Sequence, residues 1–443
     1  MLFTRSALNF PAGPVQPFAP AGSKGRSRNL KLIKRHTRRR QKTRLITGLD
    51  LGTTKVCAII GNVEEDGSVN ILGIGSSPSR GIRRGVVTDI GLTVEAIRGA
   101  YEQAYNLARV HPRELLVGIA GDHICGLNRE ATIEVRNPEA GIDRRDCMRA
   151  RDKALKVVMP ATDEILHRFL KEYVVNEQPG IQNPVGLFGH NLQVRMHIVT
   201  CSTAAANNLF RCIRRAGLKT SSVVLQSLAS AQAVLTERER ELGVVLVDIG
   251  GGTSDIAIFH NNILHHISEI AIGGDMITQD IAKILRCTPH DAENLKKKFG
   301  HAVPLSVDAD ERIELPRPNH HHQRVSYSRR ELAEIIEARV EDILVLVQQQ
   351  IENSRVADQL YGGVVLTGGA ALLEGITEVA ERMLNCPCRI GKPSGLLGMA
   401  GVASTPIYAT GVGLLRWAAE EGPGYQREPW LVRKTKALFD IYG

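Results

Sequence analysis

Asp248-Ile249-Gly250-Gly251-Gly252-Thr253-Ser254-Asp255 decides the fold of this chain, because Asp50-Leu51-Gly52-Thr53-Thr54-Lys55 says nearly the same thing earlier on. In each copy an apolar run, Leu45 to Leu49 and Val244 to Val247, ends in an Asp, turns through Gly and Thr, and returns as a second apolar run. That is the pattern of a strand, a tight turn and a strand. The glycines let backbone N–H groups approach an anion closely, and the Thr hydroxyls and Lys55 add donors and charge. Two such turns, each led by an Asp, predict duplicated domains facing a shared nucleotide. A third compatible turn closes the apolar strand at Gly363 to Thr367, where Gly368-Gly369 precede another helix.

Working outward, 443 residues are too many for one ordinary core, so two domains, each subdivided, are expected. Hydrophobic content of 43% with only 4% aromatics suits α/β cores built from Val, Ile, Leu and Ala. No apolar stretch approaches the length of a spanning helix and no export signal follows Met1, so the chain is expected to stay in the cytosol. Of the eight cysteines, Cys57, Cys125, Cys201 and Cys212 read as buried free thiols, and Cys386 and Cys388 lack a second pair at ligand spacing. His320-His321-His322 falls in a Pro-rich stretch that reads as a solvated loop.

The net charge of +9 is local. Residues 1–44 hold twelve Lys or Arg and no acidic residue, so the rest of the chain is mildly acidic. The basic excess belongs to a tail expected to be solvated and disordered, and no nucleic-acid partner is expected for the body.

Along the chain, Leu45–Val63 reads as the first hairpin and Val69–Ser76 as a third strand of its sheet. From Val86 come an amphipathic helix (Ile97, Tyr101, Ala104, Ala108), strands at Leu115–Ala120 and Thr132–Val135, and a basic helix at Asp143–Val158, together read as an inserted α/β subdomain. A strand at Leu192–Thr200, a helix at Ala204–Ala216 and a strand at Ser221–Leu225 lead to Gln226-Ser227-Leu228-Ala229-Ser230, read as a loop. In the second half Gly273-Gly274-Asp275 marks a strand-to-helix step. A long helix from Ser328 to Asn353 carries the core stripe Leu332, Ile336, Val340, Ile343, Val347 and Ile351.

DLGTTK, DIGGGTSD and VVLTGGAA, with the loops VVLQSLAS and STPIYATGVG, resemble the actin, heat-shock-70 and sugar-kinase ATPase superfamily. The insertion, the phrase Gly180-Ile181-Gln182-Asn183-Pro184-Val185-Gly186-Leu187, VLTERERELGVVLVDIGGGTSDIAIF and the amphipathic C-terminus resemble, within it, the FtsA family of bacterial cell-division proteins, over about residues 44–443. The resemblance implies an actin-like, ribonuclease-H-like α/β fold whose duplicated core sheets flank a nucleotide cleft, with a small inserted α/β subdomain. The expected divisions are a basic extension (1–43), a first core subdomain (44–85 and 165–242), the insert (86–164), a second core subdomain (243–273 and 326–415), a small lobe (274–325), a linker (416–429) and a terminal helix (430–443).

It also implies roles. Asp50 and Asp248 would hold Mg²⁺ through its waters, and Gln226 sits where relatives orient an attacking water, which permits at most slow ATP hydrolysis. Gly52, Thr53, Thr54 and Lys55 would reach the ATP phosphates from one side, and Gly250, Gly251, Gly252 and Thr253 from the other. Gly273, Gly274, Gly368 and Gly369 would line the nucleotide, with Glu293, Lys296 and Lys297 near the adenosine. The implied partners are the C-terminal peptide of the tubulin-like protein FtsZ on residues 274–325, copies of the same chain in a filament, and later division proteins through the insert.

The C-terminus carries a separate signal in its own periodicity. At helical spacing Trp430, Leu431, Val432, Leu438, Phe439, Ile441 and Tyr442 share one arc, and Arg433, Lys436 and Asp440 the opposite one, while Lys434 can snorkel from within the apolar arc. This reads as an in-plane membrane anchor, and the resemblance implies that it lies on the cytoplasmic side of the cell membrane at the division site. Rival expectations are a pilus-assembly actin-like protein or a small-molecule kinase of the same superfamily; a chaperone would need an appended domain for which no sequence remains.

Overall fold

The structure is a computed structural model that describes residues 44–64, 68–156, 160, 162–317 and 320–420. The basic tail, the stretch from 421 to 429 and the expected anchor residues Trp430, Leu431, Arg433, Lys434, Lys436, Leu438, Phe439, Ile441 and Tyr442 lie outside the described residues.

An antiparallel meander comes first, β1 (Arg44–Leu51), β2 (Lys55–Val63) and β3 (Val69–Pro78), followed by a small hairpin, β4 (Ile82–Arg83) and β5 (Val86–Val87), helix α1 (Ile90–Ala108) and β6 (Glu114–Ile119). Then come β7 (Cys125–Glu134), α2 (Arg144–Leu155), β8 (Asp163–Val175), β9 (Gln178–Ile181) and β10 (Asn191–Ser202). The chain continues through α3 (Thr203–Arg215), β11 (Ser222–Leu225), α4 (Gln226–Val234) and α5 (Glu237–Leu242). A second meander follows, β12 (Val244–Ile249), β13 (Ser254–His260) and β14 (Ile263–Ile270), with α6 (Gly274–Ile284), α7 (Pro289–Phe299), the hairpin β15 (Arg312–Arg317) and β16 (His320–Ser328), and α8 (Arg329–Asn353). Last are β17 (Val364–Thr367), α9 (Ile376–Leu384), β18 (Cys388–Ile390), β19 (Leu396–Gly398), α10 (Ala400–Ala403) and α11 (Ala409–Glu420).

The duplication seen in the two motifs extends to whole sheets. One sheet has the order β11-β6-β1-β2-β3-β19 and the other β14-β13-β12-β17-β18. In both, the Asp-tipped strand pairs antiparallel with the strand after it and parallel with a later one, β1 with β6 and β12 with β17. Each motif strand is therefore central in its sheet and buried on both faces, which its run of Ile, Leu and Val reflects. Helix α1 starts at Asp89, whose side chain accepts the Leu92 N–H at 2.9 Å, and buries Ala96, Ile97, Ala100 and Ala104.

The insertion has other boundaries than the expected 86–164. A parallel strand pair needs a crossover, and α1 is that crossover between the meander and β6, so both belong to the first sheet. The inserted sheet is instead β7-β10-β8-β9, covered by α2. Its own core joins Ile133, Ile142, Cys147, Ala150, Tyr173, Leu192, Val194 and Met196, so residues 173–196 fall with it, while Val199 and Cys201 at the end of β10 pack into the first core.

Four local expectations also differ. Gln226–Ser230 is the start of helix α4, not a loop, because its Ala and Ser side chains let α11 lie close: a Cβ on Gly413 would overlap the Ala229 carbonyl. Helix α11 runs to Glu420, so residues 416–420 are not linker; Arg416 donates to the Gln232 and Ala233 carbonyls, and Trp417 and Ala418 are buried. The backbone of His320–His322 lies in β16, paired with β15, and Cys125 is exposed at the start of β7.

Candidate functional site

Both acid-tipped turns are closed by the same bond. Gly52 N–H donates to the Lys55 carbonyl at 3.0 Å, and Gly250 N–H to the Thr253 carbonyl at 2.9 Å. The second turn rests on the start of α6, where Gly274 N–H donates to Gly250 O at 2.9 Å and Asp275 N–H to Gly251 O at 2.8 Å. The turns meet face to face: a Cβ on Gly252 would lie 2.8 Å from the Thr53 side chain, and one on Gly251 would overlap Thr54. Thr54 Oγ1 itself donates to Asp275 Oδ1 at 3.4 Å.

Asp50 and Asp248 are both 8% exposed and feel each other's charge. Burial pushes the Asp50 carboxyl up to about 7, Lys55 opposes this and Asp248 adds to it. Burial likewise raises Asp248, against hydrogen bonds from Ser230 Oγ at 2.5 Å and Thr410 Oγ1 at 3.4 Å and the charge of Lys55. Gly368, at φ +88, lies so close to Asp248 that any side chain there would strike the carboxylate. A Cβ on Gly369 would meet nothing within 4 Å among the described residues.

The remaining predicted residues are placed as follows. Lys55 Nζ donates to Ile407 O at 3.1 Å and lies 4.3 Å from the Tyr408 ring centroid, so it bridges the first turn to the approach of α11. Gln226 is buried, and its Nε2 donates to Leu51 O at 3.4 Å, beside the first motif. A Cβ on Gly273 would meet Gly250 O at 2.7 Å, and one on Gly274 would lie 3.6 Å from Lys296 Nζ. Lys296 donates to Gly274 O at 2.9 Å and Thr278 Oγ1 at 2.7 Å and pairs with Glu293 at 2.6 Å. Lys297 also pairs with Glu293, at 3.0 Å, but its side chain is 68% exposed and stands apart from the turns.

Residues outside the predicted set complete the acidic lining. Asp255 faces Asp248 across the β12–β13 ladder and Glu269 across β13–β14. Burial, then Glu269, Asp248 and Asp50, hold Asp255 well above the usual carboxylate range, and its Oδ1 has no partner among the described residues. Burial pushes Glu269 up to about 8, although it accepts the Gly121 N–H. Hairpin register could have revealed Asp255, since equal offsets from the turn set it opposite Asp248. Ser230 and Thr410 carried no such signal.

This lining fits a hard divalent cation. Two buried, mutually repelling carboxylates gain from one, and among the described residues no cluster of three ligands offers a complete protein cage. An ion that keeps most of its waters and takes further ligands from phosphate needs no such cage.

A family model described as "Cell division protein FtsA" matches residues 245–413, and one described as "SHS2 domain inserted in FTSA" matches residues 121–200. The latter span coincides with the separate β7–β10 layer. The cell division protein FtsA of Pseudomonas aeruginosa is 41% identical over 381 residues, 86% of this chain and 91% of that protein. Among solved structures, the PilM-PilN type IV pilus biogenesis complex aligns with a TM-score of 0.61 at 14% identity, covering 85% of this chain and 99% of that one. MreB5 of Spiroplasma citri bound to ADP aligns at 0.52 and 15%, covering 86% and 99%.

Proposed function

The chain belongs to the FtsA family of bacterial cell-division proteins and has the actin-like fold with an SHS2 insertion, and from that premise we propose that it binds Mg·ATP between its two acid-tipped turns and acts as a membrane-attached filament that tethers the FtsZ ring. One observation carries the nucleotide reading: two hairpins with the same turn bond, from duplicated sheets, bring buried Asp50 and Asp248 into electrostatic contact where glycines and threonines face each other. The MreB5 neighbour of the same fold is bound to ADP, in accord with that reading.

When bound, Mg²⁺ would neutralise phosphate charge. Asp50 and Asp248 would orient its waters, Thr53, Thr54 and the Gly251 and Gly252 N–H groups would bind the phosphates, and the absence of a side chain at Gly368 and Gly369 would leave room for the nucleotide. Gln226 is held beside the first motif by the bond from its Nε2 to Leu51 O, which leaves its Oε1 to accept from a water, and hydrolysis is read as slow at most. Calorimetry with Mg·ATP tests the cleft: Asp248→Ala should abolish binding, and unchanged affinity would overturn this reading.

A single short anchor gives marginal attachment, so the periodicity of residues 430–443 suits a polymer in which many weak anchors act together. Flotation of protein ending at Glu428 with anionic liposomes should fail where the full chain floats. The FtsZ peptide is assigned to the 274–325 lobe, where a cavity of about 240 Å³ is lined by the apolar Leu295, Phe299 and Ile313, the cations Lys298 and Arg312 and the anions Asp291 and Glu314. The pilus-assembly alternative rests on likeness of fold alone, at 14% identity.

A further inference from the structure

Strand β14 is the edge of the second sheet, and it does not face water: β7, β8 and β10 of the insert pack against it. At one end of this contact Glu269 accepts the Gly121 N–H where the insert begins. Further along, a Cβ on Gly126 would meet both the Ile267 carbonyl and the His197 ring at 3.0 Å, so backbone and imidazole are in close contact there.

His197, on β10, is 1% exposed. Its Nδ1 lies 2.9 Å from Asn128 Oδ1, which can only accept, so Nδ1 carries the hydrogen and Nε2 is a bare lone pair. Nε2 is buried without a partner among the described residues. The groups facing this ring are Lys171 of β8 and His265 and His266 of β14. His265 further faces His260 of β13 and Glu172 of β8, and His266 Nε2 lies 3.1 Å from Gln350 Oε1 of α8. Arg355 and Arg195 stand near Lys171, and the Glu172 carboxylate is already paired with Arg195 at 2.7 Å.

We propose that this contact is a proton-operated latch: neutral His197, His265 and His266 hold the insert against the second sheet, and their protonation releases it. A proton on His197 would create a buried N–H with no acceptor, facing Lys171 and two further imidazoles. Burial, Lys171 and the neighbouring histidines already push His197 down to about 3, and burial first, then Lys171 and His260, push His265 down to about 4; His266 is lowered by burial. A base depressed in the closed form binds its proton better when open. The closed form is therefore complete above the ordinary histidine value of about 6.5 and loses ground as pH falls below it. Between pH 7.5 and 5.5 opening gains about tenfold for each of His197 and His265.

Spin labels on keto amino acids at the exposed positions Phe188, in the insert, and Tyr361, in the second half, read this in the full chain by pulsed electron paramagnetic resonance. A single distance at pH 7.5 should be joined at pH 5.5 by a longer one, with circular dichroism unchanged. The His197→Gln/His265→Gln/His266→Gln variant should keep the pH 7.5 distance at both values; if it does not fold, His265→Gln alone should reduce the shift about tenfold. The latch is overturned by a wild-type distance that ignores pH, by opening that persists without the histidines, or by loss of secondary structure over the same range.

Discussion

Ser230 Oγ donates to Asp248 Oδ2 at 2.5 Å, from the helix after the edge strand β11 of the first sheet to the tip of the central strand of the second. Thr410, on α11, lies 3.0 Å from the same hydroxyl and also reaches the carboxylate. These hydrogen bonds favour the charged form and so counter the burial that raises Asp248. Ser230→Ala removes a hydrogen bond to a charged group, worth about 1.5–3 kcal/mol. Mg·ATP affinity should fall about tenfold or more, with a larger loss at pH 6 than at pH 8, as titration calorimetry can measure.

Burial makes the ionised Asp50 carboxylate costly to the fold. Its carboxyl is raised from 3.8 to about 7, so its contribution to stability is whole below about pH 4 and is lost as pH rises through 7. Above that the penalty is on the order of 4 kcal/mol. Asp50→Asn should therefore melt higher than wild type at pH 8, with the gap closing towards pH 5, while Mg-dependent nucleotide binding is lost. Equal melting temperatures at pH 8 would contradict this. Using the difference between variants cancels the histidine latch, which has the opposite pH dependence.

Gly413 is where α11 meets α4. Any Cβ there would run into the Ala229 carbonyl, and backbone cannot yield as a side-chain tip can. Overpacking of this kind costs about 1–3 kcal/mol or more. Gly413→Val should lower the unfolding midpoint in urea and, because α4 carries Ser230, weaken nucleotide binding as well.

Lys296 and Lys297 are neighbours with different fates. Lys296 ties α7 to α6 through Gly274 O, Thr278 and Glu293, whereas Lys297 is mostly exposed. Lys296→Met should destabilise the fold by about 1–3 kcal/mol and weaken ATP binding through the α6 start that supports the second turn. Lys297→Ala should leave both within about 0.5 kcal/mol, as exposed ion pairs do. Thermal melts and calorimetry on the pair separate the two.

Much of the architecture was legible because it is written in local pattern. Strands buried on both faces must be runs of Ile, Leu and Val, and a phosphate-compatible hairpin needs Gly and Thr at its turn, so β1–β2 and β12–β13 are visible in one dimension. The stripe from Leu332 to Val347 marks α8 in the same way, since its period is that of the helix. The boundary of the insert was not visible, because α1 has the same amphipathic pattern whichever sheet it covers, and only the parallel pairing of β6 with β1 assigns it.

The chain alone determined that two acid-tipped hairpins exist and that their sheets are related, since turn chemistry and hydrophobic period act between residues near in sequence. Tertiary structure alone decided that Ser230 and Thr410 steady Asp248, that Asp255 and Glu269 join the acidic lining, and that the insert covers β14 so that His197 meets His265 and His266. Those relations depend on burial and on charges brought together from distant segments, and the cost of burying a charge is a property of the surroundings that no residue carries by itself.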